Sequence, residues 1–339
     1  MRLDKRIKKA AGIGLGALAL VVAGGGYYHF HVNTDTPDFA LKTIEQSIKE
    51  HDTKTFHSVV NVDGVLASSY DGFVEVVTSP DVVTMADTRD VIKDFTQMLR
   101  DPMLMSLKAA IDSYVATGNL DAEKNAGVIE LLDRMGLKDA EVRDIKSVRI
   151  NDANRNEAFA DLIIFQSELD REFPLQLILT RVNDKWQVSR VQNFKEYVEQ
   201  IAKARRAQLD DYLKQSSDIN NKHEATMREA EKEYGAILSS GNLAEDKTRA
   251  ELKTLINDTF KKDWQERKQE LFTLRVPRDA ETLHNLYMKI CDTAIDAAQT
   301  YSKWIDDRNP ATIKEAEEKI HQVQTLITEA VAIAKRMTS

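Results

Sequence analysis

Four side chains in this sequence have the types and the placing for acid–base chemistry. Asp161 and Glu168 fall in a stretch of strand character, and His57 and Tyr70 fall on helical stretches ahead of it. A carboxylate enclosed by apolar side chains resists ionisation, so its pKa rises and it can accept a proton from a substrate. Asp161 in a pocket covered by His57 and Tyr70 would be such a base. The opposing reading puts Asp161 on the open side of its sheet, where strand charges are solvated and do no chemistry. No catalytic motif supports the first reading. A non-enzymatic role is therefore the leading expectation, with a metal-independent small-molecule enzyme as the alternative.

Metal and cofactor chemistry find no motif. The histidines are His29, His31, His51, His57, His223, His284 and His321. None belongs to a His-Glu-x-x-His pair, and His223-Glu224 lacks a second histidine four residues on. They read as surface or membrane-boundary histidines. The single cysteine, Cys291, excludes a disulfide framework, a zinc ribbon and an iron–sulfur site. It follows Ile290 on an apolar helical stripe and has Asp292 beside it, so a small buried hydrophobe is expected rather than a nucleophile. Gly12-Ile13-Gly14-Leu15-Gly16-Ala17 imitates a dinucleotide fingerprint, but a basic cluster stands where that motif needs a strand. No metal and no cofactor are expected.

Those glycines lie in the segment that sets the address. Arg2, Lys5, Arg6, Lys8 and Lys9 form a basic tail over residues 1–9, and Ala10–Phe30 then runs 21 residues without Asp, Glu, Lys or Arg. At 1.5 Å per residue this just spans the ~30 Å hydrocarbon core. The basic tail should stay cytoplasmic, with Tyr27, Tyr28 and Phe30 at the outer boundary. The expectation is a single-pass anchor (10–30) in the cytoplasmic, inner membrane, with the bulk of the chain extracytoplasmic. A cleaved signal with Val21-Val22-Ala23 before the cut is the competing reading. Gly12 and Gly16 could also support helix pairing in lipid.

The whole chain carries 47 Lys+Arg against 55 Asp+Glu, a net charge of −8. Residues 1–30 hold five of those bases and one acid, so the remainder stands at 42 against 54, or −12. That balance disfavours nucleic acid and anionic surfaces as partners.

Beyond the anchor the period is first helical. Asp35-Thr36-Pro37 opens a helix with the stripe Leu41, Ile44, Ile48. Asp52 or Thr53 caps a second through Phe56, Val59 and Val60, and a break at Asp63-Gly64 precedes a short piece through Leu66 and Tyr70. Residues 71–87 fit helix or loop. Residues 88–117 read as a helix bent at Asp101-Pro102, with Val91, Phe95, Leu99, Leu104, Leu107, Ile111 and Tyr114 apolar. A short helix over Ala126–Met135 ends at Gly136. The period then falls to two through Ile145–Ile150, Phe159–Leu169, Pro174–Val182 and Trp186–Val191, with turns at Asn151–Asn154 and Asn183–Lys185. Consecutive strands with short turns make an antiparallel meander covered on one face by the helices.

This order of elements, ending in Arg181-Val182-Asn183-Asp184-Lys185-Trp186-Gln187-Val188, resembles the cystatin-like α+β fold of the nuclear-transport-factor-like superfamily. It looks most like uncharacterised bacterial families in which such a domain follows an amino-terminal membrane segment. Their opening phrase is similar to Phe39–Tyr70, with Lys49-Glu50-His51-Asp52 between two helices and the second running into Val62-Asp63. The resemblance spans residues 35–195. It implies a cone-shaped cavity able to take a small apolar ligand, and it supplies no agreed catalytic residues.

Residues 196–339 lose all strand signal. Helix A runs from Phe194 to Leu238. Helix B carries Leu252, Ile256, Phe260, Trp264, Leu271 and Leu274, and helix C carries Leu283 through Ile305. Helix D carries Ile313, Ala316, Ile320, Val323, Ile327, Ala330, Ala334 and Met337. Similar lengths and short connections predict an antiparallel bundle with coiled-coil-like packing. Its charged faces, Glu229–Glu233 and Lys261-Lys262-Asp263 among them, read as solvated, and a protein partner could use one. A ligand- or partner-binding module without catalysis, or a structural spacer of the envelope, is what this arrangement predicts.

Overall fold

The computed structural model describes residues 35–80, 83 and 85–338. The basic tail, the expected anchor over 10–30, His29 and His31 lie outside the described residues. Among those described, no helix is long and apolar enough to cross a membrane. The fold is mixed α+β, mostly helical with one four-stranded antiparallel sheet. It divides into two compact units that meet in sequence between Ala204 and Arg205.

In the first unit the first three helices start at side-chain caps. The Phe39 amide donates to Thr36 Oγ1, which opens α1 (Pro37–Lys49) with proline in its first turn. The Thr55 amide donates to Asp52 Oδ1 at 3.0 Å and opens α2 (Thr53–Val59). Asn61 caps α3 (Val62–Val77) by accepting from the Gly64 amide. The break expected at Asp63-Gly64 is therefore at Val60-Asn61 instead. Gly64 sits inside the first turn of α3 because a Cβ there would run into the carbonyl oxygen of Ser189. The glycine records close packing, not a helix end.

Next comes α4 (Ala86–Thr117), which passes through Pro102 and stops at Gly118, whose φ of 66° is left-handed. Its apolar positions do not all face inward as the sequence suggested. Leu107, Ile111 and Val115 are buried, whereas Val91, Phe95, Met98 and Met105 are exposed. α5 (Ala126–Arg134) follows, and Gly136 turns the chain with φ 72°.

The sheet is a meander of β1 (Ala140–Asn151), β2 (Asn154–Gln166), β3 (Arg171–Val182) and β4 (Lys185–Val191), paired in sequence order. Val182 pairs with Lys185 across Asn183 and Asp184, both at positive φ, as a tight hairpin requires. On β2, Ala158, Ala160, Leu162 and Ile164 are buried against the helices, and the alternate residues form a half-exposed second face. That second face carries guanidinium groups over aromatic rings, Arg143 at 3.7 Å from the Phe165 centroid. α6 (Phe194–Ser240) starts in this core, where Phe194, Tyr197, Val198 and Ile201 are buried and the Tyr197 hydroxyl donates to the Gly136 carbonyl at 2.6 Å.

The second unit contains the rest of α6, then α7 (Asp246–Thr254), a π-helical segment Leu255–Lys261, α8 (Lys262–Phe272), α9 (Glu281–Asp307) and α10 (Pro310–Thr338). Asn309 caps α10 by accepting from the Ala311 amide at 2.9 Å. Leu271, Leu283, Ile290, Cys291, Val323, Leu326 and Ala330 build its core. On α10 the buried row is Ala316, Val323, Leu326 and Ala330, while Ile320 and Ile327 are about two-fifths exposed at 41% and 40%. The stripe read from the sequence is thus displaced by one position along part of the helix.

Candidate functional site

The four residues singled out for acid–base chemistry are not brought together. Asp161 lies on the second face of β2, opposite the face the helices cover. It accepts from Ser147 Oγ at 2.6 Å, from Gln176 Nε2 at 2.5 Å and from Arg149. Partial burial pulls its pKa up, but these hydrogen bonds together outweigh it and hold it below the ordinary aspartate range. The raised pKa expected of a general base is not what this setting provides. The His57 Nε2–H on α2 donates to Asp112 Oδ1 on α4 at 2.8 Å, at the surface. The Tyr70 hydroxyl donates to the Thr96 carbonyl at 2.8 Å, and burial pushes its pKa up. Glu168 stands instead with Asp133 and Asp139, their oxygens within 4.8 Å of one another. That spacing is compatible with a hard cation, but half-exposed acids gather in this way without one.

Two cavities lie in the helical unit among the described residues. One of about 410 Å³ is lined from α6, the π-helical segment, α8, α9 and α10. Met227 and Tyr234 reach it from α6, Ile256 and Phe260 from the π-helical segment, Trp264 from α8, Ala297 and Tyr301 from α9, and Val323 and Ile327 from α10. Four aromatic rings thus face small alanines. The Tyr234 and Tyr301 hydroxyls share a hydrogen bond of 2.7 Å, in which one donates and the other accepts. Glu231 and Gln324 are the polar members of the wall. The volume falls within the ~300–1,000 Å³ of small-molecule sites, which likewise combine apolar walls with few polar groups.

Beside this chamber is a buried polar cluster that the sequence reading missed. His223 on α6 and Asp263 and Arg267 on α8 are 3%, 4% and 8% exposed. The His223 Nδ1–H donates to Asp263 Oδ1 at 2.8 Å, since a carboxylate can only accept. Arg267 Nη2 donates to Asp263 Oδ2 at 3.3 Å, and its guanidinium lies 4.0 Å from the Trp264 ring centroid. His223 had been read as a surface histidine and Asp263 as part of a solvated run; both are core residues. Asp263 and Arg267, four apart and flanking Trp264, were the available signal. Burial lowers the pKa of Arg267 and raises that of the nearby Cys291 thiol to about 12. Cys291 is a neutral packing residue here, without the exposed electropositive setting of a nucleophile.

A second cavity of about 690 Å³ abuts this cluster and shares Trp264 and Ile327 with the first. Arg267, Leu271, Ile290 and Cys291 line it, with Ser217, Asn220 and Asn221 adding polar groups. The two chambers and the polar cluster together are the strongest candidate site among the described residues. No protein-family model, curated protein or solved structure matches the chain, so its function is argued from this geometry.

Proposed function

We propose that the protein is a membrane-anchored extracytoplasmic binding protein whose helical unit takes an apolar small molecule. The observation that carries the reading is the 410 Å³ chamber walled by Tyr234, Phe260, Trp264 and Tyr301. The basic-flanked apolar segment 10–30 supports the anchor in the inner membrane, and the curled antiparallel sheet with its helices supports a cystatin-like first domain. The antiparallel bundle that follows is the ligand-binding part. The reading is a non-enzymatic one, and it is supported by the separate partners of Asp161, His57 and Tyr70, which are Arg149, Asp112 and the Thr96 carbonyl.

A π-helical turn widens the backbone by one residue and recurs at functional sites. Here it delivers Ile256 and Phe260 to the chamber wall. Titration of the purified full chain with N-phenylnaphthylamine, a neutral dye that emits in apolar surroundings, tests the proposal. Saturable binding is expected in the wild type, with loss in Ala297→Trp, whose indole would occupy the chamber. Equal binding by a folded Ala297→Trp, or no saturable binding by either, would refute it.

A further inference from the structure

We propose that the second cavity of the helical unit binds the carboxylate of an amphiphilic acid at Arg267, with the acid's apolar tail running past Trp264. The inference rests on the preceding reading that this unit takes apolar ligands, and it names the polar end of that ligand.

The argument starts from an incomplete set of hydrogen bonds. Arg267 is 8% exposed and lines the cavity, yet its buried Nε–H has no acceptor among the described residues. A buried donor without a partner is costly and is ordinarily satisfied. Its one carboxylate partner, Asp263, contacts it at 3.3 Å and is divided, because the same carboxylate takes the His223 Nδ1–H at the shorter 2.8 Å. Charge-assisted bonds are usually tighter, at roughly 2.7–2.9 Å. Asp263 therefore neutralises the cluster without using up the guanidinium. The fork of a guanidinium matches a carboxylate edge, and the Trp264 ring beneath it fixes its plane.

The surroundings decide between a free anion and an amphiphile. Leu271, Ile290, Cys291 and Ala330 line the cavity around Arg267, which suits a hydrocarbon tail rather than a hydrated ion. The other charged groups lining the cavity are Glu224 and Lys335. Glu224 is paired with Arg228 at 2.7 Å, and Lys335 adds a second positive charge. Trp264 and Ile327 stand in both cavity walls, so a tail headed by Arg267 meets the aromatic chamber.

Displacement of N-phenylnaphthylamine from the full chain by dodecanoate, dodecanol and acetate at neutral pH tests this. Dodecanoate should compete about tenfold more tightly than dodecanol, the gain that one charge-assisted contact of ~1.4 kcal/mol gives, and acetate should not compete. Arg267→Gln should abolish the preference for the acid while leaving dodecanol within about twofold of the wild type. Equal affinity of acid and alcohol in the wild type would overturn the inference and leave the apolar site standing. Acetate competing as well as dodecanoate would overturn the amphiphile. Should Arg267→Gln not fold, the acid-to-alcohol ratio of the wild type still decides. Absence of any dye binding would instead refute the reading beneath it.

Discussion

Two aspartates of this chain are both paired with arginine, and their surroundings make them very different. Asp161 is about one-third exposed, at 31%, on the open face of the sheet, and its partners Ser147, Arg149 and Gln176 stand there with it. Asp263 is 4% exposed and holds both His223 and Arg267. Asp161→Asn should therefore cost only ~1 kcal/mol at neutral pH, since solvent screens the pair. Because the folded-state pKa of Asp161 is depressed, its contribution is present above the ordinary aspartate value and fades as pH falls through the lower folded value. The difference between wild type and Asp161→Asn in urea unfolding should accordingly shrink as pH falls below the ordinary aspartate value. Asp263→Asn removes the counter-charge of a buried guanidinium, and about 3–5 kcal/mol of stability should be lost. Comparable costs for the two variants would contradict this assignment of their environments.

At the scale of the element, α10 separates a pattern from its burial. A strict alternation of threes and fours selected Ile320 and Ile327, but 3.6 residues per turn let the inward row drift, and Leu326 takes the buried place. Leu326 is 7% exposed and Ile327 is 40% exposed. Leu326→Asp should thus abolish the cooperative thermal unfolding of the helical unit by circular dichroism, and Ile327→Asp should only lower its midpoint. The reverse order would mean that the row read from the sequence is the true one. Other elements were legible for physical reasons. Thr36 and Asp52 announced helix starts because a side-chain acceptor there satisfies free amides, and Asn183-Asp184 announced a hairpin because both residues tolerate positive φ. Gly64 misled, because close approach and helix termination use the same residue. The π-helical segment had a signal that went unused. Leu252, Ile256, Phe260 and Trp264 recur in strict fours, each step outrunning an α-helical turn by roughly 40°, and one wider turn takes back that drift.

The molecule as a whole joins an α+β unit built around one hydrophobic core to a helical unit in which two cavities lie, among the described residues. Cavities are made where helices fail to touch, and a list of apolar positions does not record gaps. The polar cluster was hidden for a related reason: His223 is separated from Asp263 by 40 positions and meets it only through helix packing. Element order and the acidic balance are local or additive properties, and these are readable from one sequence. The central claim is that an apolar molecule enters the helical unit and lies against Trp264. Quenching of tryptophan emission by bromododecanol, compared between the wild type and Trp264→Phe, tests it most directly. Saturable quenching in the wild type that largely disappears in Trp264→Phe is the expected result. Quenching that does not saturate, or that persists unchanged without Trp264, would contradict it.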